Sequence, residues 1–118
     1  MGFTIGRLPA GPWNAITDVK GVRVGHTTLI EGEGPLMVGK GPVRTGVTAV
    51  LAGSSIFERR AMAGAFVLNG AGEVSGLTQV QEWGLLETPI FLTNTMSVGR
   101  VSVGRFADGV GHCVLVFG

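Results

Sequence analysis

AGAFVLNGAGEVSGLTQVQEWGLLETPIFLTNT, residues 63–95, is the stretch of sequence that decides the fold. Its continuous apolar run, Ala63–Leu68, predicts a buried strand. Ser75 is a suitable N-cap for a helix of about two turns, which Gly84 would end. Pro89–Thr95 predicts a second strand with proline at its edge. Strand, helix and strand in this order predict an α/β unit, and the whole chain is expected to be α/β (α+β).

Further strands are predicted outside this stretch. Val22–Leu29 alternates apolar and polar residues, which predicts a strand with one face in solvent. Gly46–Leu51 is apolar and β-branched and predicts another strand. Ser54–Met62 predicts a short helix or an irregular crossing, and Cys113–Phe117 predicts a last strand.

Length and composition restrict the class of protein. A chain of 118 residues is one domain or part of one. It is 45% hydrophobic and only 14% charged, which excludes intrinsic disorder. Its mean hydropathy of +0.43 predicts more apolar surface than a lone small domain can bury, and therefore a partner chain or missing sequence. The net charge of +1, with scattered basic residues, gives no electrostatic case for nucleic acid.

The sequence predicts neither a metal nor a cofactor. Two histidines, one cysteine and dispersed acids do not form a ligand cluster. Gly34–Gly41 resembles a phosphate-binding loop but lacks its final hydroxyl, and Gly70-Ala71-Gly72 lacks the spacing of a dinucleotide fingerprint. No apolar run approaches the roughly 20 residues of a membrane span, and no signal peptide is expected, so we expect a cytoplasmic protein.

Glu73 is the most conspicuous candidate for a ligand contact. It lies in a glycine-rich turn that follows the apolar run, where a rigid element would present a side chain to a pocket. No Lys or Arg occurs within ten residues on either side, so the carboxylate lacks a sequence-local salt-bridge partner. Two interpretations remain open: a solvated loop acid, and a carboxylate that binds a ligand amine.

Other polar and aromatic residues also allow two interpretations. Asn69 and Asn94 each end an apolar run, where an amide satisfies backbone groups or donates to an oxyanion. His26 is a structural histidine or a base. Trp83 and Phe91 belong to the core or line a pocket.

Several segments resemble one known family. Residues 14–26, NAITDVKGVRVGH, are similar to the opening of the self-processing L-aminopeptidase/D-esterase family, which includes the β-peptidyl aminopeptidases. The resemblance runs from about residue 11 to residue 100. Because several segments match in order, it is more specific than any single motif. The further matching segments are TGVTAVL (45–51), VLNGAGEVSG (67–76), QEWGLLETPI (81–90) and LTNTMSVGR (92–100).

The resemblance implies a fold and a mechanism. Family members are precursors that cleave themselves before a serine, which becomes an N-terminal nucleophile. Their fold is a four-layer α/β/β/α sandwich of the N-terminal-nucleophile hydrolase-like type, of which this chain would be a part. The free α-amine beside the hydroxyl serves as general base, so no histidine is needed. By resemblance, Glu73 binds the substrate ammonium and Asn69 shapes the pocket.

We therefore predict that residues 1–100 form the N-terminal part of a peptidase domain. Residues 101–118 depart from the family pattern and are predicted to be a divergent or truncated tail, in which glycines disfavour a helix. The complete enzyme would remove N-terminal amino acids from peptides, amides or esters. The nucleophile is expected on a missing C-terminal portion, so this chain would carry no catalytic residue and would be inactive alone.

The sequence also leads to expectations about how the protein assembles, and it leaves two alternatives for the kind of protein. The complete enzyme is expected to be a homo-oligomer, and the isolated chain is expected to self-associate through sheet edges. Two alternatives remain. One is a non-catalytic α/β binding or structural subunit that pairs with a second chain. The other is a fragment of the related ornithine acetyltransferase, which uses a threonine nucleophile.

Overall fold

A computed structural model describes residues 6–107 and 115–117 of the chain. Its elements are β1 (Arg23–Glu31), β2 (Val43–Leu51), β3 (Ala61–Met62), β4 (Val74–Ser75), α1 (Leu77–Trp83), β5 (Leu85–Leu86), β6 (Ile90–Leu92), α2 (Val98–Ala107) and β7 (Leu115–Phe117). Short 3₁₀ turns cover Ile16–Asp18 and Thr95–Ser97. The mixed α/β class predicted from the sequence is confirmed. Residues 113 and 114 of the predicted last strand lie outside the described residues.

Five strands form one sheet in the order β1-β2-β6-β7-β4, and β3 pairs with β5 in a separate two-stranded sheet. β1 and β2 form a long antiparallel hairpin, in which Arg23 lies opposite Leu51 and Glu31 lies opposite Val43. β6 and β7 run parallel and are connected through α2. This parallel pair requires a crossover, which the helix provides.

The apolar core lies on both faces of the central strand β6, because successive residues of a strand point to opposite faces. Phe91 packs with Val98 of α2 in one cluster of buried residues. Ile90 packs against Val80 of α1 and Leu86 of β5 in a second cluster. β6 therefore holds the two helices in place.

The predicted strand over Ala63–Leu68 is wrong. The pairing of β3 with β5 ends where Met62 lies opposite Leu85. The chain then makes one further backbone hydrogen bond, from the Ala63 N–H to the Gly84 carbonyl. No strand of the described part of the chain runs beside residues 64–68, and Phe66 and Leu68 are 86% and 84% exposed. An apolar run marks a buried strand only when another element covers it.

The N-cap of helix α1 lies one residue later than predicted. Ser75 belongs to β4, and the N-cap is Gly76 in a left-handed conformation with φ of 82°. The predicted end is confirmed, since Gly84 adopts φ of 67° and its N–H donates to the Val80 carbonyl. Glycine reaches this region without steric cost, and this allows the chain to turn directly into β5.

The prediction that glycines disfavour a helix in the tail after residue 100 is wrong for residues up to 107. Helix α2 includes Gly99 and Gly104, each of which costs about 1 kcal/mol relative to alanine. Against this cost, Val98 is buried to 4% exposure and Val101 packs against the same cluster. Tertiary packing therefore stabilises a helix that its own propensity disfavours.

Much apolar surface stays uncovered. Val38, Met62 and Met96, for example, are each at least 90% exposed. Of the two aromatic residues expected in the core or at a pocket, Trp83 is 54% exposed and therefore lies outside the core, whereas Phe91 is buried in it. None of the helices in residues 6–107 combines the length and apolarity needed to cross a bilayer.

Candidate functional site

The glycine-rich turn between Leu68 and β4 borders a cavity of about 250 Å³, which we call the Glu73 cavity. Its walls come from three consecutive parts of the chain: the exposed apolar run, the turn itself, and the starts of β4 and α1. The lining residues are Phe66, Val67, Leu68, Asn69, Gly70, Gly72, Glu73, Val74 and Leu77. Both residues predicted to contact substrate, Glu73 and Asn69, therefore lie at the same cavity.

The side chain of Asn69 organises the turn. Its Oδ1 accepts a hydrogen bond of 2.9 Å from the Ala71 N–H, two residues further on. Asparagine favours such turns because its short amide can replace a backbone carbonyl. In this geometry the oxygen of Asn69 accepts a backbone hydrogen bond and so stabilises the turn, and the turn brings Glu73 to the rim of the cavity.

Glu73 is exposed to solvent immediately before β4, which is the outermost strand of the sheet at the end opposite β1. Within the described residues its carboxylate makes no ion pair and accepts no hydrogen bond. The side chains that share the cavity are mostly apolar. The arrangement therefore presents a free negative charge beside an apolar surface, which suits a ligand that combines an ammonium group with an apolar side chain.

A second carboxylate, Glu87, was not identified from the sequence. Its side chain is only 10% exposed, and its Oε1 accepts a 2.8 Å hydrogen bond from Gln79 Nε2. Its Oε2 lies 2.9 Å from Arg60 Nε in an ion pair, but the N–H of Arg60 is not directed at this oxygen. Glu87 lies in the loop after β5, and Arg60 lies in the loop before β3. Because the two loops are distant in sequence, no local sequence pattern predicts the pair. Its partners identify it as a structural contact.

His26 and Asn94 have structural roles in this fold. The ring of His26 lies between two hydroxyls, with Nδ1 2.6 Å from Thr48 Oγ1 and Nε2 2.9 Å from Thr28 Oγ1. The Nδ2 of Asn94 donates a 2.6 Å hydrogen bond to Thr45 Oγ1. Both ring nitrogens and this amide thus contact threonine hydroxyls of β1 and β2, which favours the structural interpretation over a base or an oxyanion donor.

A second cavity, of about 270 Å³, lies between the β1–β2 hairpin and α2. Thr27 and Thr45 line it from the sheet, and Arg100 lines it from the helix. The sequence gives no signal for this cavity, because its walls come from segments more than forty residues apart. It lies on the sheet face that α2 only partly covers.

Fold and site together define a class. The chain is a mixed α/β protein whose sheet holds a glycine-rich turn, and the turn presents to an apolar cavity a carboxylate that has no partner among the described residues. The chain belongs to peptidase family S58, whose model matches residues 14–110.

Individual relatives agree with the family. Over 101 residues the chain is 50% identical to the β-peptidyl aminopeptidase BapA of Sphingosinicella microcystinivorans, a match that covers 83% of this chain. A β-aminopeptidase from Burkholderia sp. superposes with a TM-score of 0.80 at 40% identity, covering 97% of this chain and 33% of that one. The L-aminopeptidase D-Ala-esterase/amidase of Ochrobactrum anthropi superposes with a TM-score of 0.68 at 34% identity, covering 92% and 34%.

The Ochrobactrum enzyme is described as a prototype for the serine aminopeptidases and as a variant of the Ntn hydrolase fold. Recognition of the aminopeptidase family and of the fold type from the sequence is thereby confirmed. The present chain spans 26% of the length of the Sphingosinicella relative and about a third of the two solved structures. The family match continues to residue 110, and the predicted domain boundary at residue 100 stays a prediction.

Proposed function

We propose that this chain is part of a self-processing serine aminopeptidase, in which Glu73 binds the ammonium group of the substrate and Asn69 shapes the turn that holds it. The substrates would be peptides, amides or esters with a free amino terminus. One observation carries the proposal: the Glu73 carboxylate lies at an apolar cavity with no partner among the described residues. The names of the relatives, which are aminopeptidases, support the same class of substrate.

The physical basis is the strength of a charge-assisted hydrogen bond in a dry site. An exposed carboxylate gains little from an ammonium ion, since water screens the pair. Further protein packed over Phe66 and Leu68 would exclude water from the cavity. The same ammonium–carboxylate contact would then be stronger, and it would fix the position of the scissile bond relative to the nucleophile.

We place the nucleophile on polypeptide outside these 118 residues, because the chain spans about a quarter of the length of its curated relatives. The nucleophile would be an N-terminal serine whose own α-amine acts as general base. The substrate would therefore lie between two parts of the protein, one that holds the ammonium and one that attacks the carbonyl. A homo-oligomeric complete enzyme and a cytoplasmic location stay predictions of the sequence.

Binding of a substrate analogue tests the role of Glu73 without requiring turnover. We would titrate the ¹⁵N-labelled chain with leucinamide and follow the backbone amide signals of residues 70–76. Leucinamide should shift these signals in a saturable way with a dissociation constant in the millimolar range, as expected for one exposed ion pair beside an apolar surface. N-acetyl-leucinamide, which has no ammonium group, should not.

The Glu73→Gln variant should bind leucinamide about fivefold more weakly, whereas Glu82→Gln should bind it as tightly as the wild-type chain does. Glu82 is a matched control because it is an exposed acid on α1, outside the cavity lining. Equal binding by Glu73→Gln and the wild-type chain would refute the proposed role. Equal binding of leucinamide and its acetylated form would show that the cavity recognises only the apolar side chain.

A further inference from the structure

The strand β1 forms one edge of the five-stranded sheet. It pairs with β2 along all nine of its residues, Arg23–Glu31, without a bulge. In the part of the chain that the structure describes, no strand lies on its other side, and all nine residues are exposed. A long, regular and open edge presents a row of free backbone donors and acceptors that another strand can satisfy.

The sequence of β1, RVGHTTLIE, is complementary to itself when read antiparallel. A two-fold axis through Thr27 places Arg23 of one copy opposite Glu31 of the other. It also places Val24 opposite Ile30. Because directly opposed residues lie on the same face of a sheet, each charged pair and each apolar pair can make contact.

These groups are available for such contacts. Among the described residues, neither the guanidinium of Arg23 nor the carboxylate of Glu31 takes part in an ion pair. The neighbouring Arg44 donates to the backbone oxygens of Glu31 and Gly32, not to the Glu31 carboxylate. Val24 and Ile30 are 42% and 64% exposed. Pairing would therefore cover apolar surface as well as join opposite charges.

We propose that a second copy of this chain pairs with β1 edge to edge, antiparallel and centred on Thr27. The two five-stranded sheets then become one continuous sheet, with an Arg23–Glu31 ion pair at each end of the interface. We assign the partner strand to a second copy because β1 is complementary to itself when the two copies run antiparallel. A second copy necessarily places Glu opposite Arg23 and Arg opposite Glu31, whereas an unrelated strand need not. This interface goes beyond the proposed aminopeptidase function and does not depend on it.

Charge reversal tests the register. We would measure self-association of the full 118-residue chain by sedimentation equilibrium. The Glu31→Lys variant places lysine opposite Arg23 twice per dimer, and it should weaken the dimer roughly tenfold or more, because two attractive pairs become repulsive. The double variant Arg23→Glu/Glu31→Lys restores opposite charges and should recover dimerisation. Glu33→Lys is the control, because this exposed acid lies in the loop just after β1.

Cross-linking tests the position of the axis independently of charge. In a Cys113→Ser background, Thr27→Cys places two thiols opposite each other and should give a disulfide-linked dimer on mild oxidation. Leu29→Cys places its two thiols about 14 Å apart along the strands and should not. A wild-type chain that sediments as a monomer overturns the proposal. So does a dimer that tolerates Glu31→Lys, or one that cross-links through residue 29 rather than residue 27.

Discussion

Helix α2 supplies the sharpest test of how this fold is held together. Its glycines disfavour a helix, yet Val98 buries its side chain against Phe91 and Val101 packs against the same cluster. If burial rather than propensity stabilises α2, then shortening Val98 must destabilise the protein. Val98→Ala should therefore lower the free energy of unfolding, although alanine is the better helix former.

The magnitude follows from the burial of Val98. Its side chain is 4% exposed, so the substitution removes two fully buried carbon atoms. At about 0.8 kcal/mol for each, the loss of transfer free energy is about 1.6 kcal/mol, and the remaining cavity raises it to about 2 kcal/mol. Val103, in the same helix, is 68% exposed, so Val103→Ala should change stability by less than about 0.5 kcal/mol.

The two variants form a matched pair, because both exchange valine for alanine within α2 and differ in the burial of the side chain. Urea unfolding followed by far-UV circular dichroism, at equal protein concentration, compares them directly. With a denaturant slope of about 1.5 kcal/mol per molar urea, Val98→Ala should lower the unfolding midpoint by about 1.3 M relative to Val103→Ala.

Equal midpoints for the two variants would refute the reasoning. That result would mean that the contact between α2 and β6 contributes nothing to stability. A lower helical signal of Val98→Ala before the unfolding transition would show instead that the helix has melted locally while the sheet persists. This outcome would still assign the formation of α2 to its packing.

Two further predictions concern the chain as a whole. Gly84→Ala should destabilise the protein by about 1 kcal/mol, measured as a lower unfolding midpoint, because an alanine at φ of 67° is strained; an unchanged midpoint would contradict this. The chain alone should not hydrolyse a chromogenic aminoacyl amide, since the proposed nucleophile lies outside it. Saturable turnover that is lost in Ser54→Ala would contradict this expectation.

The sequence predicted the elements for which the local residue pattern and the packing in the fold favour the same structure. The alternation of Val22–Leu29 and the β-branched run Gly46–Leu51 each predicted a strand; the structure extends these strands to Arg23–Glu31 and Val43–Leu51 and pairs them as a hairpin. Gly84 predicted the end of α1, because the left-handed conformation there is a property of one residue and its immediate neighbours. The resemblance of the matching segments indicated the peptidase family, which the family match confirms.

The candidate site was predicted only in part. That Glu73 lacks a local partner is visible from the sequence, because it concerns only the residues nearby. That Glu73 shares a cavity with Phe66 and Leu68 is not visible, since it depends on how the turn folds back towards the start of α1. The ion pair between Arg60 and Glu87 is likewise not visible from the sequence, because it joins residues that lie far apart along the chain.

The sequence by itself determined the mixed α/β class, the glycine that ends α1 and the family, since these depend on residue types at short spacing. Only the tertiary structure decided which apolar segments are buried. Ala63–Leu68 is apolar yet stays largely exposed, and α2 contains glycines yet forms a helix against Phe91. The physical reason is that burial depends on contacts between distant segments, and their free energy exceeds the local preferences of either segment.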